Sequence, residues 1–193
     1  NRLGSNSLAE LLVFGSVAGI GAADHAHAAP RRDETSMRKQ AEASARRRLG
    51  MLTTTGGERL ATVRGEMMDS MEAGVGIYRR EATLTAACVK IAELRARYRA
   101  GLRLDDRSRA FNTEWLSAIE LGFTLEVAEA MAHSALARRE SRGAHMRLDG
   151  YESRDDEEFL KHSLAHYGGD GPPRIGHMPV TITKSQPRRR AYG

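Results

Sequence analysis

The sequence predicts a mainly α-helical protein, with a three-helix bundle followed by a small C-terminal region of strands and loops. Apolar residues recur at three-and-four spacing in three long segments, which is typical of helices with one buried face. Only 5% of the 193 residues are aromatic and 28% are charged, a composition that disfavours a large all-β core. Short glycine-containing breaks separate the three segments and favour antiparallel neighbours, hence a bundle.

The first predicted helix precedes the bundle and begins near Ser5 to Ser7. Ser7 and Glu10 have the spacing of a capping box, and an apolar stretch follows from Leu8 to Val13. Residues 24–33 are predicted to form a linker, because they include Pro30 and follow three glycines. Residues 34–49 are predicted to form an exposed, charged helix, and residues 53–57 the next break.

The three bundle helices are predicted from their apolar positions and from the breaks at residues 74–76 and 101–109. The third helix is unusually long, from Asn112 as a plausible N-cap to Arg139. The apolar positions are Leu60, Val63, Met67 and Met71 in the first helix, Leu84, Cys88, Ile91 and Tyr98 in the second, and Trp115, Ile119, Leu125, Met131 and Ala135 in the third.

The character of the chain changes after Gly143. Residues 159–167 alternate between two sets of side chains, as a strand does, although a helix also fits them. A glycine-rich turn at residues 168–171 and a β-prone run from Pro179 to Thr183 favour a hairpin-like pair of strands.

Charge and cysteine content exclude several classes of protein. The net charge is +5, but the basic clusters at residues 46–48 and 188–190 have no interleaved aromatics, so we expect no nucleic-acid binding. The lone Cys88 indicates a small core residue in a reduced compartment. The apolar run at residues 11–23 is shorter than the about 20 residues that span a bilayer. It also lacks the basic start of a signal peptide, since Arg2 stands alone and Glu10 interrupts it. Membrane association is therefore expected only through partner subunits.

The first ten residues combine three properties that suit a flat, anionic ligand. Gly4 lets the backbone approach closely, Ser5 to Ser7 open a helix whose free N–H groups favour negative charge, and Arg2 offers a planar fork for a carboxylate. An ordinary capped helix remains the alternative interpretation.

Several other residues could carry chemistry, but we favour structural roles for them. His25 and His27 are expected to lie in a loop rather than to bind metal. His133 is expected to be a packed side chain, and the group Met67, Met68 and Met71 to belong to the core. Arg142 and His145 are expected to close the helical domain onto its neighbour rather than to catalyse.

The string NRLGSNSLAELLVFG at residues 1–15 resembles a segment of the flavoprotein subunits of fumarate reductase and succinate dehydrogenase. Further motifs of that family follow in order and at similar spacing. They are GIYR at residues 76–79, FNT at 111–113, ARRESRGAH at 137–145, RDD at 154–156, FLKH at 159–162 and the run at 179–183. The resemblance covers nearly the whole chain apart from residues 22–56, and its wording is closer to the fumarate reductase branch.

The resemblance implies that FAD, covalently held by a histidine, passes hydride to fumarate while an arginine delivers the proton. Arg2 matches a substrate-binding arginine that clamps a carboxylate. The cofactor-binding stretch comprises Arg2, Leu3, Gly4, Ser5, Asn6, Ser7 and Leu8. The dinucleotide-binding glycines, the flavin-linking histidine and the proton donor have no counterpart here, so the resemblance places them upstream. No catalytic residue and no metal site is expected within this chain.

The chain begins at Asn1 without an initiator methionine, and we expect it to be the C-terminal part of a longer polypeptide. The predicted division is residues 1–28 as the last helix of an FAD-binding α/β domain, 29–143 as the helical domain and 144–193 as the strand-and-loop region. The resemblance implies electrons from quinol through an iron–sulfur subunit. It also implies membrane anchor subunits and a place at the cytoplasmic face of the cell membrane, in anaerobic respiration.

Three alternatives remain at this point. A succinate dehydrogenase flavoprotein shares the fold, the flavin and the substrate pair. An L-aspartate oxidase shares the arginine-glycine-serine segment, although its tail differs from the ESRGAH and FLKH run. A catalytically inactive helical interaction fragment would need no flavin at all.

Overall fold

The structure is a computed structural model that describes residues 6–30 and 33–184. The chain divides into two compact units, Asn1–Leu49 and Gly50–Gly193. Helix α1, Asn6–Ala28, and helix α2, Glu34–Gly50, make up the described part of the first unit, with the last residue of α2 at the boundary. The division into residues 1–28, 29–143 and 144–193 stays a prediction.

Helix α1 begins where the capping pattern predicts, but it ends later than expected. It continues to Ala28, so the predicted linker at residues 24–33 is helical in its first half, and His25 and His27 lie in its last turn. The Ala29 N–H still donates to the carbonyl of His25 at 2.8 Å. The alanines around the two histidines are strong helix formers, which explains why the preceding glycines do not end the helix.

The surface of α1 is apolar and uncovered. Its segment Ser7–Ala28 has 22 residues, and an 18-residue window within it has a mean hydropathy of 1.4 and no buried residue. By length and composition this helix could cross a membrane, so the expectation that the apolar run is too short is wrong. The reason is that the helix extends beyond residues 11–23 at both ends. A core helix of a longer protein meets the same criteria.

Helix α2 is the exposed, charged helix that the sequence predicts, and none of its residues is buried. Its N-terminus is capped by Asp33, whose carboxylate accepts hydrogen bonds from the N–H groups of Thr35 at 3.0 Å and Ser36 at 3.2 Å. Such a cap supplies an acceptor for N–H groups that have no partner within the helix.

The second unit contains the predicted three-helix bundle. Its helices are α3, Leu60–Val75, α4, Glu81–Ala100, and α5, Thr113–Ala137, and each packs against the other two. A short 3₁₀ turn, Met51–Thr53, precedes them. The side chain of Asn112 caps α5 by accepting from the Trp115 N–H at 2.7 Å, as predicted. The core is built mainly from Val63 and Met67 of α3, Leu84, Ile91 and Leu94 of α4, and Ala118, Leu121, Leu125 and Ala132 of α5.

Helices α3 and α4 approach closely at Gly74. A Cβ atom at Gly74 would lie 2.7 Å from the Cβ of Ala87 and 2.7 Å from the carbonyl oxygen of Thr83. The nearby Cys88 thiol is buried, as expected of a core residue, and this burial raises its pKa. Glycine therefore stands where any side chain would separate the two helices.

Two methionines assigned to the core lie outside it. Met131 is 50% exposed and Met68 is 58% exposed, whereas Met67 is buried. Met131 follows Leu125 by six residues, which places it about 120° around α5 from Leu125 and away from the buried face. The buried positions of that stretch are Ala128, Ala132 and the predicted Ala135. The small side chains of Ala128 and Ala132 give a weak pattern in the sequence.

Short strands tie the ends of the helices together. Strand β1, Glu58–Arg59, pairs in parallel with β3, Leu102–Arg103, and β2, Tyr78–Arg79, pairs in parallel with β4, Met146–Arg147. The last elements are helix α6, Asp156–Phe159, and the strands β5, Lys161–His166, and β6, Arg174–Pro179.

Strands β5 and β6 form the predicted antiparallel hairpin, but the second strand lies earlier than expected. Lys161 pairs with Pro179 and His166 with Arg174, so Pro179 ends β6 instead of beginning it. The loop closes early because the Gly171 N–H donates to the carbonyl of Gly168 at 3.2 Å. The β-prone residues that follow Pro179 therefore lie beyond the paired strand.

Candidate functional site

The predicted flavin-binding segment falls mostly outside the described residues. Arg2, Leu3, Gly4 and Ser5 lie outside them, and so does the side chain of Asn6. Helix α1 begins at Asn6. Of the remaining predicted residues, Ser7 is half-buried and Leu8 is 73% exposed.

The described residues contain a second group of charged side chains, which we call the junction cluster. It comprises Arg79, Arg138, Glu140, Arg142, His145, Arg147 and Asp149. Arg79 lies in β2, the residues from Arg138 to His145 lie in the segment that follows α5, Arg147 lies in β4, and Asp149 follows β4 by two residues. Strand pairing between β2 and β4 brings Arg79 next to residues more than 60 positions away, and the Leu148 N–H donates to the Arg79 carbonyl at 2.9 Å.

Glu140 is the acidic centre of the junction cluster and is fully buried. Its Oε1 accepts from Arg138 and from Arg142 Nε at 2.8 Å, and its Oε2 accepts from Arg142 Nη2 at 3.0 Å and the Asp155 N–H at 2.9 Å. Burial alone would raise the pKa of Glu140, but these hydrogen bonds, that from Arg142 first, hold it below its ordinary value. Glu140 is therefore a buried carboxylate with every oxygen paired.

Arg147 is the second fully buried charge of the cluster. Its Nε and Nη2 donate to the two carboxylate oxygens of Asp149 at 2.9 and 2.7 Å. Its Nη1 lies 3.3–3.4 Å from the last carbonyls of α5, where positive charge is favoured. Asp149 in turn accepts from the Glu81 N–H at the start of α4 at 2.5 Å. One ion pair thus joins the end of α5 to the beginning of α4.

His145 links two further parts of the cluster. Its Nδ1 lies 2.6 Å from Arg79 Nη1, and its Nε2 lies 2.9 Å from the carbonyl oxygen of Arg138. Because Arg79 can only donate, His145 accepts at Nδ1 and donates from Nε2. An imidazole ring with one accepting and one donating nitrogen is neutral. Burial, together with the neighbouring arginines, lowers the pKa of His145. The ring is therefore held uncharged between an arginine and a helix end.

Arg142 and His145 join segments of the second unit, and their predicted role in closing the helical domain onto its neighbour stays a prediction. Arg142 Nη2 also donates to Asp156 at 2.6 Å, and Arg138 Nη2 donates to the carbonyl of Lys161 at 2.6 Å. These contacts join the RDD and FLKH segments to the end of α5. The donors and acceptors of the cluster bond to one another and to groups of neighbouring elements, which suits holding elements together more than proton transfer.

Two shallow grooves flank the cluster on α5, and His133 lines both. One runs along Phe159, Lys161 and His177, and the other along a buried ion pair between Arg95 and Glu129. Within residues 6–30 and 33–184, no group of three or more His, Cys, Asp or Glu side chains is placed to hold a metal ion.

The residues that carry most of the buried charge were not predicted from the sequence. Arg147, Arg95 and Glu129 cannot be told from solvent-exposed charges in the sequence, because the chain is rich in charged residues. A helical projection would have flagged Arg95 and Glu129, because each falls on the buried face of its helix beside Leu94 and Ala128. No local signal marks Arg147.

Comparison with known proteins places the chain among flavoproteins. A family model described as "Fumarate reductase flavoprotein C-term" matches residues 64–192. The fumarate reductase flavoprotein subunits of Haemophilus influenzae and Escherichia coli are 49% and 48% identical over the whole chain. A succinate dehydrogenase flavoprotein subunit of Rickettsia conorii is 34% identical over 95% of the chain. The chain spans 30–32% of the length of these relatives.

Among solved structures too, the fumarate reductase chain is more similar to this chain than the succinate dehydrogenase chain is. A chain of the quinol fumarate reductase of E. coli superposes with a TM-score of 0.91 at 47% identity, covering 98% of this chain and 32% of that one. A chain of the Sdh1 complex of Mycobacterium smegmatis superposes with a TM-score of 0.79 at 34% identity, covering 96% of this chain and 31% of that one.

Proposed function

Because this chain belongs to the family of fumarate reductase flavoprotein C-terminal regions, we propose that it forms the last third of a subunit that reduces fumarate to succinate. The observation that carries the proposal is the family match over residues 64–192, together with 49% identity to a fumarate reductase flavoprotein subunit over the full chain. Electrons would come from quinol through an iron–sulfur subunit, as the resemblance implies.

The N-terminal segment is proposed to hold FAD and substrate. The start of α1 fits such a group, since the helix begins at Asn6 just after Gly4 and its first turn carries no acidic side chain. Its free N–H groups therefore favour an anionic flavin edge. When bound, FAD supplies the hydride that reduces the substrate double bond.

Arg2 is proposed to bind one substrate carboxylate, and residues 2–8 are proposed to form the stretch that wraps the flavin ring. A guanidinium group donates two parallel hydrogen bonds and stays charged, so Arg2 would both orient the dicarboxylate and draw electron density from its double bond. The proton donor and the flavin-linking histidine belong to the part of the protein that precedes this chain. The 193-residue chain alone is therefore expected neither to retain FAD nor to reduce fumarate.

The role of Arg2 is tested by Arg2→Lys in the complete subunit, because lysine keeps the charge and loses the fork. We expect fumarate turnover to fall by at least about tenfold with FAD content unchanged. The matched control is Arg38→Lys on the exposed face of α2, which should leave turnover unchanged. A loss smaller than twofold in Arg2→Lys would remove the assigned role.

The membrane enters this proposal only through partner subunits. Helix α1 is apolar enough for a bilayer, yet Glu10 and Asp24 lie within its span, and charges in lipid are costly. We propose that the preceding part of the FAD-binding domain covers α1 and that the subunit lies at the cytoplasmic face of the cell membrane. The complete subunit expressed alone should then stay in the soluble fraction, and partitioning into membranes would contradict this.

The exposed surface of the helical bundle is proposed to receive the iron–sulfur subunit. Limited proteolysis of the complete subunit should show slower cleavage within residues 57–140 when that partner is added. Equal cleavage with and without the partner would exclude the bundle as its docking surface.

A succinate dehydrogenase remains the second candidate, supported by relatives at 33–34% identity. The higher identities, 46–49%, favour fumarate reduction. The ratio of fumarate reduction to succinate oxidation by the assembled complex decides between the two.

The alternative of an inactive helical fragment is tested by sequencing the DNA upstream of the Asn1 codon. An open reading frame with an FAD-binding motif supports the enzyme, and a nearby stop codon supports the inactive fragment.

A further inference from the structure

A tight turn presents His145 to the junction cluster. The His145 N–H donates to the Arg142 carbonyl at 3.0 Å, and the Arg142 N–H donates back to the His145 carbonyl at 2.9 Å. Gly143, inside the turn, has a φ of +62°, which glycine adopts without strain. We call residues 143–146 the His145 turn. Its other members are exposed, so little buried apolar surface holds the turn in place.

Ion pairs fix the chain on both sides of the His145 turn. Before the turn, Arg142 donates to Glu140 at 2.8 and 3.0 Å and to Asp156 at 2.6 Å. After the turn, the fully buried Arg147 donates to both oxygens of Asp149, at 2.9 and 2.7 Å. The two ends of the turn are therefore held independently of what its middle does.

The ring of His145 makes the inward contacts of the turn. Its Nδ1 accepts from Arg79 Nη1 at 2.6 Å, and its Nε2 donates to the Arg138 carbonyl at 2.9 Å. Arg79 cannot easily withdraw from the ring, because its Nε donates to the carbonyls of Val75 at 3.1 Å and Gly76 at 2.8 Å, where α3 ends. The neutral ring thus joins the end of α3 to the end of α5.

A protonated ring would lose this arrangement. Protonation removes the lone pair on Nδ1 that accepts from Arg79. The strongest charges that act on the ring are the guanidinium groups of Arg79 in β2, Arg147 in β4 and Arg138 after α5. Glu140 and Asp149 each pair with an arginine of the cluster instead. The Arg138 carbonyl favours protonation, but burial and the three guanidinium groups outweigh it and hold the pKa of the ring below its ordinary value.

We propose that the His145 turn is a pH-sensitive switch, which is closed over the ends of α3 and α5 while the ring is neutral and opens between its two fixed ends when the ring is protonated. The inference goes beyond the proposed function, since all of these contacts lie within the second unit. In the open turn the ring lies in water and has the ordinary His pKa of 6.5. The turn should therefore be closed above about pH 6.5 and open increasingly below it.

The test is hydrogen exchange of the complete subunit, followed by mass spectrometry at a pH of about 7.5 and about 5.5. After correction for the pH dependence of intrinsic exchange, the peptide that covers residues 143–148 should exchange faster at the lower pH. We expect an increase of about threefold to tenfold, because protonation of the open turn alone shifts the equilibrium by at most about tenfold across this interval. Peptides from the buried face of α4 should not change.

His145→Gln tests whether the ring is the group that titrates. Glutamine offers an accepting oxygen and a donating nitrogen, as the neutral ring does, and it cannot be protonated. The pH response of residues 143–148 should disappear in this variant, whether glutamine bridges Arg79 and the Arg138 carbonyl or leaves the turn open at both pH values. The control is His162→Gln at an exposed position of β5, which should keep the full response.

A second measurement reads the ring directly. In ¹⁵N NMR of the complete subunit with labelled histidine rings, the signal that His145→Gln removes should show a neutral ring with its proton on Nε2 at a pH of about 7.5. A charged ring at that pH would overturn the inference.

Three exchange results would also overturn it. Equal exchange of residues 143–148 at the two pH values shows that the turn does not open. An unchanged pH response in His145→Gln assigns the titration to another group. Faster exchange of the α4 peptides together with the turn shows global unfolding instead of local opening. None of these results bears on the proposed function, which rests on the family match.

Discussion

Replacing Glu140 by glutamine removes the buried charge at the centre of the junction cluster and keeps the size of the side chain. The carboxylate is fully buried and accepts four hydrogen bonds, from Arg138, twice from Arg142, and from the Asp155 N–H. The amide nitrogen of glutamine can only donate. At least two of the four bonds are therefore lost, and an N–H group is turned towards other N–H donors.

The expected loss of stability follows from these contacts. A hydrogen bond to a charged group contributes about 1.5–3 kcal/mol, so two lost bonds cost about 3–6 kcal/mol. Arg142 keeps its bond to Asp156 and Arg138 keeps its bond to the Lys161 carbonyl, which places the cost at the lower end, about 3 kcal/mol. For a domain of this size that corresponds to a fall in melting temperature of about 6–12 °C.

The free energy of unfolding is measured by urea denaturation of the 193-residue chain, followed by circular dichroism. The control is Glu157→Gln, an exposed position on α6 that should change stability by less than about 0.5 kcal/mol. Wild-type stability should also decline as the pH falls below the ordinary Glu pKa of 4.5, because the folded state holds the lower pKa and the unfolded state binds the proton first. A Glu140→Gln variant as stable as the control would refute this account of the junction cluster.

Three further predictions follow from buried groups in the second unit. Burial lowers the pKa of His145 below 6.5, so stability should fall as the pH drops from about 6.5 to 5, and His145→Gln should flatten that decline in urea titrations at each pH. Glu129→Leu should cost about 3–5 kcal/mol by leaving Arg95 buried and unpaired, and adding Arg95→Met should recover most of the loss in the same assay. Gly74→Ala should cost about 1–3 kcal/mol by urea denaturation, because its Cβ would meet Ala87 at 2.7 Å.

Each of these predictions has a matched control. His162→Gln, at an exposed position of β5, should leave the pH dependence unchanged, and Glu120→Leu, on the exposed side of α5, should cost little. Gly65→Ala lies in the same helix as Gly74 with nothing within 4 Å of the added atom, so it should raise stability by about 0.5–1 kcal/mol. Equal behaviour of a variant and its control would contradict the corresponding prediction.

The family and the fold class were accessible from the sequence, because both depend on local pattern. Glycine breaks and apolar spacing marked the three bundle helices, and the Asn112 cap marked the start of α5. Ordered motifs such as GIYR and ESRGAH carried the resemblance that the family match confirms. The end of α1 was predicted wrongly, since its alanines outweigh the glycines before them.

The buried charges could not be predicted in the same way. His145 contacts Arg79, and Asp149 contacts the start of α4, only because β4 pairs with β2 and the chain then folds back over the end of α5. Whether a charged side chain is paired or solvated depends on contacts between residues far apart in sequence, which no local pattern encodes. The exposure of Phe111 and the sign of its φ likewise came only from the structure.

The sequence by itself determined which segments are helical and which family the chain belongs to, because hydrogen bonds within a helix and apolar periodicity are local. Tertiary structure alone decided which charges are buried and which aromatic ring is left exposed, because burial depends on how distant segments pack.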